Sequence, residues 1–173
     1  SYLTIEQRGS IAEELRPLVG EWLYGCDVCQ EVCPWNVRFA RELPDDSPFA
    51  ARDALGATDA RTLASVLLRM SPTEFSASFK GSPMKRAKLR GLRRNAAVVL
   101  GNVGSTEDVP ALLQMLSDSE PLVRGHVAWA LGRIGAPVAM EPLLTRLSCE
   151  DDSWVAEELR SALSALVGER DAR

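Results

Sequence analysis

From residue 59 onward, apolar positions recur at the three-to-four-residue period of helices with one buried face. Asp59 stands where an N-cap is wanted, ahead of Leu63, Val66, Leu67 and Met70, which are expected to form the inward stripe of a first helix. Ser71, Pro72 and Glu74 supply the cap, first-turn proline and acid of a capping box for a second. Ser82-Pro83 repeats the start signal and predicts a helix over residues 83–103, with Leu92, Ala96, Val99, Leu100 and Val103 inward. Before residue 59 the pattern is weaker. Ser10 and Glu13 predict a capping box for a short helix through Ile11, Ala12 and Leu15 that stops at Pro17, with Gly20 and Gly25 as later punctuation. The polar stretch 41–58, with Pro44, Asp45, Asp46, Ser47 and Pro48, predicts a connector.

The last third of the chain is self-similar. Residues 92–104 (LRRNAAVVLGNVG) align with 123–135 (VRGHVAWALGRIG) at a spacing of 31, which pairs Arg93 with Arg124, Leu100 with Leu131, Gly101 with Gly132 and Gly104 with Gly135. Pro110, Leu112, Leu113 and Leu116 recur as Pro142, Leu143, Leu144 and Leu147, and a partial third copy runs through Trp154, Val155, Leu159, Leu163 and Leu166. Two amphipathic helices of this length cannot bury their stripes alone, so the copies must stack into a small solenoid of HEAT-like type, with the polar end GERDAR as its cap. The fold class expected is mainly α: a partial ferredoxin-like iron-sulfur module over residues 1–43, a connector over 44–58 and a helical region with HEAT-like repeats over 59–173.

Composition narrows the picture. The chain has 173 residues, 46% of them hydrophobic, enough to bury a core, and no run resembles a membrane span or a secretion signal. A cytoplasmic protein is expected. The net charge is -4, but its distribution is uneven: residues 71–95 hold seven cations, Lys80, Lys85, Arg86, Lys88, Arg90, Arg93 and Arg94, against the single acid Glu74. A concentrated cationic face on an acidic protein attracts phosphate locally, and the seven are the candidate RNA-backbone contacts. Phe75 and Phe79, the nearest aromatics, are expected in the core, which leaves base recognition to other residues.

Three of the four cysteines, Cys26, Cys29 and Cys33, fall within eight residues and the last precedes Pro34. Iron-sulfur clusters are held by soft thiolates at short spacing, and in two-cluster ferredoxins the cysteine before proline serves the other cluster. On that template Cys26 and Cys29 serve one 4Fe-4S cluster and Cys33 a second, with the remaining ligands coming from outside the run. Trp35 is expected either to pack over the site or to be ordinary core. A zinc clasp completed by Cys149 or His126 is the alternative metal reading. Cys149 is otherwise expected to be an inert small hydrophobe and His126 a structural residue.

Together LTIEQRG, ELRPLVG, YGCDVCQEVCPWN and KGSPMKRAKLRGLRRNAAVVLGN resemble the C-terminal portion of the epoxyqueuosine reductase family. The resemblance implies reduction of the epoxide of epoxyqueuosine in the anticodon loop of transfer RNA, the last step of queuosine biosynthesis. It implies a cobalamin bound by an N-terminal domain, two 4Fe-4S clusters as an electron relay fed by an electron donor protein, and a helical-repeat domain that helps hold the RNA. Cys26, Cys29 and Cys33 match the family's second cysteine run. The cobalamin domain and the first cysteine run lie outside these residues, so the chain is expected to be a fragment or one part of a split enzyme. It is expected to carry no catalytic residue of its own, to be inactive alone, and to join its N-terminal catalytic part in a monomer when complete. The alternatives are a helical-repeat binding protein with a structural metal site, and an electron-transfer subunit unrelated to RNA.

Overall fold

The computed structural model describes residues 1–42, 44, 47, 52–56 and 59–171, and side chains through 168. Most of the expected connector, and the last two residues of the polar end, lie outside the described residues. Ten α-helices are described, with no strand among these residues: α1 (Arg16–Val19), α2 (Val28–Glu31), α3 (Pro34–Phe39), α4 (Ala60–Arg69), α5 (Pro72–Ser78), α6 (Lys88–Val103), α7 (Val109–Met115), α8 (Pro121–Ile134), α9 (Met140–Ser148) and α10 (Ser153–Asp171). The mainly α class is what the structure has. No described helix is long and apolar enough to cross a membrane.

The caps decide where the helices begin. Asp59 accepts from the Thr62 N–H at 2.7 Å and starts α4, and Ser71 and Glu74 form the expected reciprocal capping box on α5. The Ser10 box does not form. Ala12 is the cap of a 3-10 turn (Glu13–Leu15), and Pro17 lies in the first turn of α1, where a missing N–H costs nothing. Proline therefore opens that helix instead of closing it. On α4 the inward face is Ala64, Leu67 and Leu68, and Val66 is exposed. Leu144 on α9 is likewise exposed, while Leu143 is buried.

α4, α6, α8 and α10 pack side by side in that order, and α7 and α9 form the outer row. The aligned glycines show why the spacing repeats. A Cβ on Gly101 would lie 3.1 Å from the Cα of Ala130, and one on Gly132 would lie 2.8 Å from the Cα of Ala162, so each inner helix reaches the next backbone to backbone. The aligned arginines are equivalent too: Arg93 binds Asp118 at 2.5 Å and Arg124 binds Glu150 at 2.6 Å, each tying an inner helix to the loop before the next. The third copy buries Val155, Leu159 and Leu166.

The inner helices are buried on a second side, because residues 1–25 cross them as an irregular strap. Buried backbone without a ladder must find other partners, and polar side chains at positions spaced by 32 on α6, α8 and α10 hold the strap, Arg94 and His126 by its backbone and Glu158 by the Arg16 side chain. Arg94 on α6 donates to the carbonyls of Leu3, Gln7 and Gly9. His126 on α8 accepts the Ile11 N–H at 3.1 Å and meets the Leu122 carbonyl at 2.7 Å, which makes Nδ1 the protonated nitrogen. Glu158 on α10 takes both Arg16 terminal nitrogens, and Arg16 also lies 5.4 Å from the Trp129 ring centroid. Asn102 then holds the carbonyls of Arg16 and Gly20 as the strap returns.

Two measurements follow. Gly132→Ala forces a methyl against Ala162 and should destabilise the chain by about 1–3 kcal/mol, read as a lower denaturation midpoint; an unchanged midpoint would refute the close approach. Burial, with the Arg16 charge second, pushes His126 down to about 3 from its ordinary 6.5. Between those values the unfolded chain binds a proton that the fold refuses, so stability should fall as pH drops below about 6.5, by up to about 1.4 kcal/mol per pH unit. The carboxylate most depressed, Glu150, held near 2 by its bonds from Arg124, acts only below its ordinary 4.5, so denaturation between pH 6.5 and 5 isolates the imidazole. His126→Gln should flatten that slope.

Candidate metal centre and nucleic-acid interface

The cysteine loop leaves the strap at a point that α6 holds from below. Asn95, fully buried, donates to the carbonyls of Thr4 and Leu23, each at 2.8 Å. The Thr4 hydroxyl accepts the Gly25 N–H at 2.9 Å, and Gly25 sits at φ 71°, a left-handed value that suits glycine. Cys26 follows with its Sγ 3.6 Å from Ser1 Oγ, a contact that lowers the thiol pKa against the opposing effect of burial. Cys29 is exposed on α2, and Cys33 caps α3 with Pro34 in its first turn. All three are free thiols.

Their chemistry fits an iron-sulfur cluster, since three soft donors lie on a loop and two short helices. Their number does not close one. Among the described residues no three His, Cys, Asp or Glu side chains converge on a metal position. The zinc alternative loses both proposed partners: His126 has its two ring nitrogens committed to the Ile11 and Leu122 backbone, and Cys149 ends α9 with its thiol on the carbonyls of Thr145 and Arg146. Cys149 is exposed at the end of that helix. Trp35 is 68% exposed and stacks on Phe39 at 5.6 Å, so it is not core. Val28, Val32, Val37 and Phe39 are exposed with it, which leaves the cysteine-bearing helices with an uncovered apolar surface.

The cationic stretch is not one helix. Ser82 caps a 3-10 turn (Pro83–Arg86), Ala87 follows, and α6 begins at Lys88 with φ 60°, a strained value for a residue with a Cβ. Arg94 leaves the proposed RNA set. It is 1% exposed, and all its nitrogens are spent on carbonyls of the strap and on Asn95. Arg93 is occupied by Asp118 and the Met70 carbonyl. Arg90 lies 3.6 Å from Glu120, and Arg86 pairs with Glu6 at 2.9 Å, both at the surface. Lys80, Lys85 and Lys88 are exposed, and among the described residues no carboxylate pairs with them. Phe79 is buried and Phe75 partly so.

The sequence reading missed the strap's part in this surface. Tyr24 donates to the Pro83 carbonyl at 2.7 Å and Arg8 donates to that of Arg86, so the basic turn and the cysteine segment are bound together. The signal available was a polar pair, Arg94-Asn95, standing next to the apolar run 96–100.

These features define a mainly α protein in which a cysteine-bearing segment is strapped to stacked helical repeats. The family models agree: HEAT repeats match residues 86–164, and a 4Fe-4S double cluster binding domain matches residues 1–36. The chain is 48% identical over 136 residues to epoxyqueuosine reductase of Pseudomonas aeruginosa, covering 78% of this chain and 36% of that protein. Epoxyqueuosine reductase from Bacillus subtilis superposes with a TM-score of 0.77 at 30% identity, over 96% of this chain and 43% of that one. An epoxyqueuosine reductase crystallised with an epoxyqueuosine-modified tRNA-Tyr stem loop gives a TM-score of 0.74 at 28% identity, over 96% and 43%. Over the span it shares with them, the chain is similar to epoxyqueuosine reductases. It covers about a third of the length of the curated relatives it matches.

Replacing Asn95 by Leu leaves two buried carbonyls without donors and should cost about 2–4 kcal/mol. It should also raise amide exchange at Gly25, measured by mass spectrometry under native conditions. Protection at Gly25 equal to that of the parent chain would show that α6 does not hold the loop.

Proposed function

We propose that the chain is the C-terminal part of a cobalamin-dependent epoxyqueuosine reductase acting on transfer RNA in queuosine biosynthesis, and that it supplies cluster ligands and an RNA-docking surface. The observation that carries this reading is the junction of the two features on one hydrogen-bonded unit: the turn bearing Lys85 and Arg86 is fastened by Tyr24 and Arg8 to the segment that bears the cysteines. Cys26 and Cys29 hold one 4Fe-4S cluster and Cys33 reaches a second, whose other ligands come from the N-terminal catalytic part. When bound, the clusters supply single-electron transfer, and cobalamin belongs to that other part. The chain's own work is positional. Asn95 and Thr4 set the loop that carries Cys26, and Pro34 starts the helix that Cys33 caps.

The uncovered apolar side chains on α2 and α3 support the same reading, since they are the surface that the catalytic part would cover. Lys80, Lys85, Lys88, Arg86 and Arg90 meet the RNA backbone, while Arg93 and Arg94 act inside the protein. The complete protein is read as a cytoplasmic monomer that receives electrons from a donor protein.

The test is binding of an anticodon stem loop as a function of salt. Reversing Lys85, Arg86, Lys88 and Arg90 to Glu should weaken association at least about tenfold and flatten the dependence of log K on log salt, because each lost phosphate contact removes released counterions. Unchanged affinity would instead favour an electron-transfer subunit unrelated to RNA.

A further inference from the structure

Within the cationic surface, one side chain comes from the strap that leads into the cysteine loop. Arg8 is exposed, and among the described residues no carboxylate pairs with it; its one fixed contact is the donation to the Arg86 carbonyl. That contact sets the guanidinium beside the turn Pro83–Arg86, which carries Lys85. Directly inside lies Arg94, whose partners are all neutral: the carbonyls of Leu3, Gln7 and Gly9 and the amide oxygen of Asn95. Its hydrogen bonds are saturated, yet its charge is not compensated by any ion pair among the described residues. Buried charge in that state is costly and gains from a nearby opposite charge. Burial and, second, the Arg8 charge lower the Arg94 pKa to about 10, so Arg94 remains cationic near neutrality and the two guanidinium groups repel each other. Among the described residues, Glu6 is the one carboxylate paired with the turn, and both its oxygens are taken by Arg86.

A planar guanidinium with free donors, a lysine on the adjoining turn and an uncompensated positive charge underneath suit a phosphate oxyanion. We propose that Arg8 is a phosphate-binding residue of the RNA interface, acting with Lys85 on one phosphodiester of the bound RNA, with Arg94 as the buried charge that favours an anion there. This rests on the RNA-docking reading above and extends the docking surface from the repeats onto the segment that carries the cysteines.

The experiment compares Arg8→Gln, Arg8→Lys and the Lys80→Glu/Lys85→Glu/Lys88→Glu chain for binding of an anticodon stem loop across a salt series. Denaturation midpoints are recorded for each variant. Arg8→Gln is expected to weaken binding about three- to tenfold and to lessen the slope of log K against log salt by about 1. Arg8→Lys is expected to retain the slope, which separates a charge contact from loosening of the turn, since the donation to Arg86 is altered in both variants. If the triple reversal weakens binding but Arg8→Gln keeps the parent slope, the Arg8 assignment is wrong and the docking surface stands. If Arg8→Lys loses the slope together with Arg8→Gln, the residue acts by holding the turn and the phosphate contact is refuted. If no variant, the triple reversal included, changes the salt dependence, the RNA reading itself fails and the inference with it.

Discussion

The structure depends on satisfying the backbone of a segment that has no ladder of its own. Residues 1–25 form a π-helical turn, a 3-10 turn and one four-residue helix, too little regular structure to pair the carbonyls and amides that become buried. The repeats provide what is missing, through Arg94, Asn95 and Asn102 on α6 and His126 on α8, while Glu158 on α10 holds the Arg16 side chain that donates to the Ile11 carbonyl. A buried donor or acceptor left unpaired costs about 1–3 kcal/mol, so these side chains are not interchangeable with the alanines and valines around them. Through Asn95, Thr4 and Gly25 the same bonds reach the loop of Cys26. The repeats are therefore a scaffold for the cysteine segment as well as a stack of helices.

Much of this was legible in the sequence where the rule is local. The caps at Asp59 and Ser71 require only a side chain and an amide a few residues apart, and both form. Gly101 and Gly132, with Arg93 and Arg124, announced the repeat because each pair meets equivalent neighbours. What escaped depends on contacts distant in sequence. Arg94 reads as one more surface cation until a strap some 90 residues earlier is laid over it. Val66 and Leu144 fit the helical period, but the stripe rotates toward Ala64 and Leu68, and toward Leu143, once neighbours are in place. The expected helix over 83–103 was interrupted because the turn at Pro83–Arg86 is anchored by Tyr24 and Arg8 from outside it. The site itself was read from spacing, which names the thiolates but says nothing of what covers Trp35.

Charge is partitioned with some economy. Arg93, Arg124 and Arg146 are neutralised within the repeats by Asp118 and Glu150, and Arg61 by Glu107 and Asp108. An acidic protein with net charge -4 thus uses carboxylates where arginines join helix to helix, and leaves its surplus of positive charge on the turn before α6 and the strap beside it. Electrostatic attraction of a polyanion is then a property of one face, not of the molecule.

The three anchors spaced by 32 have one more consequence. The outward leg of the strap runs from Leu3 over α6 to Ile11 on α8 and Arg16 on α10 before it turns back toward the cysteines. Inner helices lie about 8–10 Å apart, so the leg from Leu3 to Arg16 has to span the two steps from α6 to α8 and from α8 to α10. The strap acts as a ruler. A solenoid can ordinarily gain or lose a copy with little penalty, but here an inserted copy between α6 and α10 would outrun the leg that measures it, and the cysteine loop at its far end would be displaced.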